Sequence, residues 1–242
     1  EMVMTLGNND LGFNKEGLDY LIDTVKTFMK KGIQVVCANL FDETGNRPEW
    51  LKPYTIVERD GDKTFVTGFC IDNINTAKFG IYPKKQEQVL SEMAEAIRKE
   101  KPDNIIILNH DFMPSSKNIV KKFADEGINI DVTIGGHDHE IVPADLEKHI
   151  YYPQSFARAM YEMDIVNKNG AKAIENINTR SGQDVKINSL FLPAIEKFEK
   201  DSNLFENIVP CTLHLPKKYS DPSALGSFLA DAIKEQSQTD IG

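Results

Sequence analysis

The sequence predicts a layered α/β protein. Strand-like and helix-like segments alternate four times before residue 145, which is the order expected when helices cover a sheet. The aliphatic run within 104–108 is typical of a strand that is buried on both faces. A length of 242 residues, with 40% hydrophobic and 27% charged residues, is ordinary for a globular protein.

The first elements follow one another in a regular order. A strand at 2–6 precedes an amphipathic helix at 15–31, with Asn14 placed to cap its start and Gly32 to end it. The next strand covers 33–38 and leads into a polar loop that continues to Pro48. Strands at 54–58 and 63–70 are predicted to form a hairpin, because Asp60-Gly61 between them is a strong turn signal.

Three further segments complete the alternation. A helix is predicted at 85–100, before Lys101-Pro102, and the aliphatic strand 104–108 follows it. Ser115 or Ser116 is predicted to cap a third helix that reaches about residue 126. Gly127 then leads into a short β-branched strand at 132–134, which is predicted to be buried.

The pattern changes to strands after residue 150. Segments 158–166 and 171–177 are predicted to pair across a turn at 167–170. A helix at 190–200 precedes an irregular segment, 201–220, whose prolines indicate a domain boundary. A last amphipathic helix is predicted at 222–236, outside the first core.

The charge and the cysteines exclude some classes of function. A net charge of −9 and a pI near 5.1 disfavour nucleic acid as a partner, because no basic block offsets the acidic residues. Cys37 and Cys70 lie in apolar strands and, with Cys211 far away, are predicted to be buried thiols rather than a disulfide framework. The sequence has no apolar run of about 18 residues, so no transmembrane segment is predicted.

Polar turns that carry Asn or His follow three of the predicted strands. The turns are Gly7-Asn8-Asn9-Asp10, Asn109-His110-Asp111 and Gly135-Gly136-His137-Asp138-His139. Ligands of open α/β sheets gather outside the carboxyl ends of strands, so these turns should converge. An amide oxygen together with imidazole nitrogens suits Zn, Mn or Fe better than Ca. The candidate metal ligands are Asn8, His110, His137 and His139.

Other interpretations of these residues stay open. A single histidine more often has an ordinary hydrogen-bonded role, and His149 and His214 are assigned such structural roles. Asp111 and Asp138 flank the candidate ligands and could orient the imidazole rings by accepting hydrogen bonds, or could be solvated turn residues. The two glycines before His137 are predicted to allow unusual φ angles and a close approach of the backbone.

The order of these motifs resembles that of the calcineurin-like metallophosphoesterases. Gly7-Asn8-x-Asp10 comes first, His110 follows an aliphatic strand, and Gly136-His137-x-His139 comes last. More narrowly, the chain is similar to the 5′-nucleotidase and 2′,3′-cyclic nucleotide phosphodiesterase (UDP-sugar hydrolase) family. The segment 38–40 with Pro53-Tyr54 resembles part of that family, and 223–232 resembles the opening helix of its C-terminal domain.

The resemblance implies a fold and a set of domains. It implies an α/β/β/α metallophosphoesterase sandwich, incomplete here, together with the first helix of a second α/β domain. It assigns 1–180 to the catalytic domain, 181–218 to a linker with a helix and 219–242 to the start of the C-terminal domain. Relatives are commonly periplasmic, secreted or surface-attached, and the compartment of this chain stays undecided.

The resemblance also implies a chemistry. Two divalent metal ions (Zn, Mn, Fe or Co) would activate water for hydrolysis of a small phosphate monoester, with a nucleotide as the expected substrate. Asn8, His110 and His137 would hold one ion and His139 the other. Ser155 and 156–157 occupy the place of a small loop beside the family's site, with strand packing as the alternative to a substrate contact.

The sequence departs from the family in two places. The Asp-x-His and Gly-Asp segments that supply further metal ligands normally precede the Gly-Asn motif, and only six residues precede it here. The chain is therefore expected to be truncated at both ends and to bind at most one metal well. The family's catalytic histidine is replaced by Asn9 and its aspartate partner by Gly12. Asn9 can hydrogen-bond a phosphate oxygen, but it cannot donate a proton as imidazolium does.

These departures leave two alternatives to an active hydrolase. Because both members of the catalytic pair are replaced, the chain could come from a nucleotide- or metal-binding relative with little or no activity. In the other alternative the histidines are structural in a plain α/β domain. That interpretation predicts no metal uptake and no loss of stability on chelation.

Overall fold

The computed structural model describes residues 1–11, 15–72, 80–139, 142–155, 158–168 and 171–181. These residues lie in one compact unit, Glu1–Val185. No helix among them is long and apolar enough to cross a membrane. The predictions for 182–242, including both C-terminal helices, Cys211 and His214, lie outside the described residues, as do those for Gly12 and Asn14.

Eleven strands and three α-helices make up the described part of the chain. The strands are β1 (Met2–Met4), β2 (Ile33–Val35), β3 (Leu40–Asp42), β4 (Tyr54–Arg59), β5 (Asp62–Cys70), β6 (Ile81–Pro83), β7 (Asn104–His110), β8 (Val132–Gly136), β9 (Ile150–Tyr151), β10 (Ala159–Lys168) and β11 (Ala171–Ser181). The helices are α1 (Lys15–Lys30), α2 (Leu90–Glu100) and α3 (Met113–Asp125), and a 3₁₀ turn, Gln86–Val89, leads into α2.

A five-stranded sheet with the order β4-β5-β7-β8-β9 forms the centre of the fold. Strands β5, β7, β8 and β9 run parallel, and β4 pairs antiparallel with β5 at one edge. This mostly parallel sheet confirms the predicted α/β class. It also places the carboxyl ends of β7 and β8 side by side.

Helices cover the sheets in two apolar clusters. Helices α2 and α3 pack on one face of the five-stranded sheet, where Met93 and Phe123 contact the same cluster as Ile105 and Ile107. Helix α1 packs with β1 and β2 in a second cluster, which also contains residues at the end of β5. Helices α2 and α3 in one cluster and α1 in the other agree with the predicted layered α/β class.

Three smaller sheets complete the architecture. Strands β1 and β2 are parallel, β3 and β6 are antiparallel, and β10 and β11 form the predicted hairpin. The β3–β6 pair corrects the prediction of a polar loop that continues to Pro48. Leu40 and Phe41 are buried there and pair with a strand about 40 residues away, a contact that local sequence patterns do not encode.

Two other local predictions are wrong. Strand β7 is not buried on both faces, because Ile105 and Ile107 face the helices while Ile106 is only partly buried. Helix α3 begins at Met113, so Ser115 and Ser116 lie inside its first turn instead of capping it. Proline in the first turn allows this start, since its missing N–H would have no helical partner there.

Other local predictions are confirmed. Asp60 and Gly61, between β4 and β5, both have positive φ, 54° and 91°, as a two-residue hairpin turn of this kind requires. Gly32 ends α1 with a φ of 82°. Cys37 and Cys70 are free and buried, and burial raises the pKa of Cys37 to about 12. That thiol is therefore protonated at neutral pH and unsuited to act as a nucleophile.

Candidate metal centre

The carboxyl ends of β1, β7 and β8 bring the three polar turns together. Strands β7 and β8 are parallel neighbours in which His110 pairs with Gly136, so His110 and His137 end adjacent strands. The turn after β1 is closed by Asp10, which accepts a hydrogen bond from the N–H of Gly7 at 2.7 Å. This turn presents Asn8 to the two histidines.

Asn8, His110 and His137 form the centre of the site. The Oδ1 atom of Asn8 lies 2.9 Å from Nε2 of His110 and 3.2 Å from Nδ1 of His137. The two ring nitrogens are 3.3 Å apart. In the part of the chain that the structure describes, no group of three or more His, Cys, Asp or Glu side chains could hold a metal ion. A metal ion held by the two histidines would therefore take the amide oxygen of Asn8 as its third donor.

The three separations fit donor atoms that share one cation. Ligand atoms about 2.1 Å from an ion and about 90–110° apart lie roughly 3.0–3.4 Å from each other. Two imidazole nitrogens and one amide oxygen are a donor set for a divalent transition metal rather than for Ca. Ring N–H groups that donate hydrogen bonds to the amide oxygen would give similar distances without a metal. The two arrangements differ in that only the first predicts metal uptake.

The ring of His110 packs directly on the backbone of Gly7. A Cβ atom at position 7 would lie 2.6 Å from Cε1 of the ring and 2.8 Å from both ring nitrogens. Carbon atoms do not approach other heavy atoms so closely, so a side chain at position 7 would displace the ring. A Cβ at Gly136 would meet the same ring at 3.4 Å, which is an ordinary contact.

His137 has an unusual backbone conformation, with a φ of 80°. Neither Gly135 nor Gly136 has a positive φ, so the prediction of unusual angles is wrong for both, and the predicted close packing is confirmed for Gly135 alone. A Cβ at Gly135 would lie 2.0 Å from Cζ of Tyr152. A non-glycine residue with positive φ costs about 1–3 kcal/mol, so its surroundings must hold His137 in place. Phe112 packs edge-on against its ring, with centroids 4.7 Å apart.

The electrostatic environment keeps His110 neutral. Its pKa is lowered from the ordinary value, first by burial and then by the neighbouring His137. Asp10 and Asp111 oppose this effect, and His139 adds to it. Because a metal binds only the unprotonated imidazole nitrogen, a lowered pKa favours metal binding at neutral pH.

His139 and Asp111 lie close enough to His110 to influence its pKa. His139 is exposed, its carbonyl accepts a hydrogen bond from Oγ of Ser155 at 3.3 Å, and its charge acts on His110. The carboxylate of Asp111 accepts hydrogen bonds from Nε2 of Gln86 and from the N–H of Phe112, at 3.1 and 2.7 Å. These two contacts of Asp111 fix the turn after β7. The role of Asp138 in orienting a ring stays a prediction.

Asn9 lies next to the centre and is exposed. Its Oδ1 accepts a long hydrogen bond, 3.5 Å, from Nδ2 of Asn8. The side chain is therefore exposed to solvent beside Asn8. Gly12, the position of the second member of the family's catalytic pair, lies outside the described residues.

The structure also reveals residues that sequence reasoning missed. Gln86, Ser116 and Tyr152 are buried polar residues behind the histidines, in the 3₁₀ turn, in α3 and just after β9. Gln86 and Tyr152 lie 23 and 41 positions from the residues of the β7 turn that they contact, so no spacing pattern could indicate them. Ser116 lies only seven positions after Asn109. The two adjacent serines were the only local signal, and they resemble a helix cap.

Comparison with known proteins confirms the predicted resemblance to the calcineurin-like metallophosphoesterases. The chain is 24% identical over 224 residues to the uncharacterized metallophosphoesterase YunD of Bacillus subtilis, across 86% of this chain and 46% of that protein. No protein-family model matches the chain.

Solved structures with the same fold agree with this class. The 5′-nucleotidase precursor from Thermus thermophilus has a TM-score of 0.69 at 12% identity, covering 98% of this chain and 51% of its own. The calcineurin-like phosphoesterase YfkN from Bacillus subtilis has a TM-score of 0.61 at 20% identity, covering 83% of this chain and 70% of its own. At such identities the likeness shows the fold.

The chain spans about half the length of the curated relative and of the Thermus protein. Those relatives carry the names of hydrolases, so the predicted enzyme class and phosphoester hydrolysis in general are supported.

Proposed function

We propose that this chain forms part of the active site of a metal-dependent phosphate monoesterase that acts on nucleotides. The observation that carries the proposal is the convergence of Asn8 Oδ1, His110 Nε2 and His137 Nδ1 within 2.9–3.3 Å of one another. The nucleotide substrate is inferred from the 5′-nucleotidase whose fold the chain shares.

Each residue of the centre has a distinct task in this proposal. Asn8, His110 and His137 would hold one divalent ion of the transition-metal group, and His139 would serve a second ion. Such a metal pair supplies Lewis-acid stabilisation of the phosphoryl group and lowers the pKa of water. The packing of His110 on Gly7 and of Phe112 on His137 keeps the donor atoms in place before any ion binds.

Asn9 would contact the substrate phosphate. Its amide can donate a hydrogen bond to a phosphate oxygen, but it carries no charge and releases no proton at neutral pH. Esters with an acidic leaving group need little help from a proton donor, so an aryl phosphate should be hydrolysed faster than an alkyl phosphate.

An assay of the full chain tests the proposal. Hydrolysis of p-nitrophenyl phosphate and of nucleoside 5′-monophosphates is expected on addition of Mn²⁺, Zn²⁺ or Co²⁺, and a chelator should abolish it. Product phosphate, measured with and without EDTA, is the readout. Metal uptake without any hydrolysis would favour a binding protein, whereas neither uptake nor hydrolysis would favour a plain α/β domain.

Restoring the missing imidazole separates a weak enzyme from a binding protein. In a weakly active enzyme, Asn9→His is expected to raise kcat by about 10²-fold, because one general acid is worth about 10²–10⁴. The gain should be larger for alkyl than for aryl phosphates. Gly12→Asp, added to this variant, restores the second member of the pair.

Asn9→Gln is the matched control, because it keeps the amide and lengthens the side chain. It should bring no gain in kcat. An Asn9→His variant that binds metal as the parent does and stays inactive would favour the second candidate function, a nucleotide- or metal-binding relative. The exposed amide at the catalytic position is the observation behind that candidate.

A further inference from the structure

A network of buried side chains lies directly behind His110. Its members Gln86, Asn109, Ser116 and Tyr152 are between 0% and 5% exposed. They come from the 3₁₀ turn, β7, α3 and the segment after β9. Buried polar groups of this kind must pair with one another, and once paired they fix a unique arrangement.

The network holds both neighbours of His110 in the chain. On one side, Asn109 accepts a hydrogen bond from Nε2 of Gln86 at 3.1 Å and donates one to Oγ of Ser116 at 2.8 Å. On the other side, the carboxylate of Asp111 accepts from the same Gln86 nitrogen at 3.1 Å, and its carbonyl accepts from the hydroxyl of Tyr152 at 2.7 Å.

Tyr152 reaches the second histidine-bearing strand as well. Its ring lies so close to Gly135 that an added Cβ would meet three ring carbons at 2.0–2.5 Å. Gly135 precedes His137 by two residues, at the end of β8. The hydroxyl of Tyr152 meanwhile binds Asp111 at the end of β7 and lies 2.8 Å from Oγ of Ser116. One side chain thus contacts both strand ends that carry the ring nitrogens.

We propose that Tyr152, joined to Asn109 through Ser116 and to Asp111 directly, is a positioning residue that sets the place of His110 in the metal centre. Among the described residues no hydrogen bond or ring pair joins Tyr152 to His110 or His137, so Tyr152 acts through the backbone on either side of His110. Residues that orient metal ligands typically change metal affinity about 10- to 100-fold when removed. The inference rests on the proposed function only in that it treats His110 as a metal ligand.

The neighbouring tyrosine supplies a matched control. Tyr151 is fully buried, and its hydroxyl has no hydrogen-bond partner among the described residues. Tyr151→Phe and Tyr152→Phe each remove a single buried hydroxyl and keep the ring. Only the second change removes the hydrogen bond to Asp111 and the contact with Ser116.

The first readout is the affinity of the full chain for Co²⁺, which is measured by titration with detection of the visible absorption of the bound ion. Tyr152→Phe is expected to bind Co²⁺ at least about tenfold more weakly than the parent, and Tyr151→Phe as tightly as the parent. Thermal unfolding of both variants in EDTA separates this effect from a general loss of stability. If Tyr152→Phe fails to fold, Ser116→Ala removes the other half of the same link and takes its place.

The second readout does not need metal. In the chelated protein, the ring signal of His110 in a ¹H–¹³C NMR spectrum should move or broaden in Tyr152→Phe and stay in place in Tyr151→Phe. If the parent binds no Co²⁺ through His110, the proposed function fails, and this signal alone decides the inference. A Tyr152→Phe variant that matches Tyr151→Phe in every readout obtained would overturn it.

Discussion

Replacing His110 by alanine is expected to lower the affinity of the chain for Mn²⁺ or Zn²⁺ at least about 100-fold. The substitution removes Nε2, which lies 2.9 Å from Asn8 Oδ1 and 3.3 Å from His137 Nδ1. Two of three convergent donors then remain. Residues that only orient a ligand are worth about 10- to 100-fold, so the loss of the ligand itself should cost no less. Isothermal titration calorimetry of the parent and of the His110→Ala variant gives their two dissociation constants for the metal, and the ratio of these is the expected loss.

His149→Ala is the matched control for this substitution. Among the described histidines, His149 is the one outside the three motifs. Its Nδ1 lies 3.1 Å from the carbonyl oxygen of Asp131, the residue just before β8. The residue therefore lies at the opposite end of that strand from His137. Its replacement should leave metal affinity unchanged. Equal losses of metal affinity in His110→Ala and His149→Ala would contradict the prediction and favour structural roles for these histidines.

Gly7→Ala is expected to weaken metal binding about tenfold or more without removing a donor. The new methyl group would have to lie 2.6–2.8 Å from three atoms of the His110 ring, so the ring must move away from Asn8 and His137. Overpacking of this kind also destabilises the fold by about 1–3 kcal/mol. The variant thus tests whether the position of the ring, and not only its presence, determines affinity.

Thermal and chemical unfolding with and without metal measure this effect. A metal at about 100 times its dissociation constant stabilises the folded chain by about 2.7 kcal/mol, and a tenfold weaker site retains roughly half of that. Gly136→Ala serves for comparison, since its Cβ would lie 3.4 Å from the same ring and should produce a much smaller loss. A Gly7→Ala variant with the full stabilisation by metal would show that the ring is not confined as the structure indicates.

Local signals predicted the parts of this protein that depend on local physics. Asp60-Gly61 indicated its hairpin because two consecutive residues with positive φ are favoured only by such pairs. The position of His110 after an aliphatic run indicated a strand end, and parallel strands bring their carboxyl ends to one edge. The convergence of Asn8 with the histidines followed from that topology, although the residues are more than 100 positions apart.

Features that depend on distant contacts could not be predicted in this way. Ser116 resembled a helix cap, yet its hydroxyl faces Asn109 and Tyr152 because α3 begins earlier and turns that side inward. Gly135 resembled a residue of unusual φ, whereas it is required by the ring of Tyr152, which lies 17 positions further along. In both cases the predicted role was wrong, because the residue contacts a partner that no spacing rule identifies.

Crystals grown with Mn²⁺ or Zn²⁺ and measured at the metal's absorption edge test the central claim most directly. The account predicts an anomalous peak about 2.0–2.3 Å from Asn8 Oδ1, His110 Nε2 and His137 Nδ1 together. A peak bound elsewhere on the chain, or none at these three atoms while the metal is in excess, would contradict it.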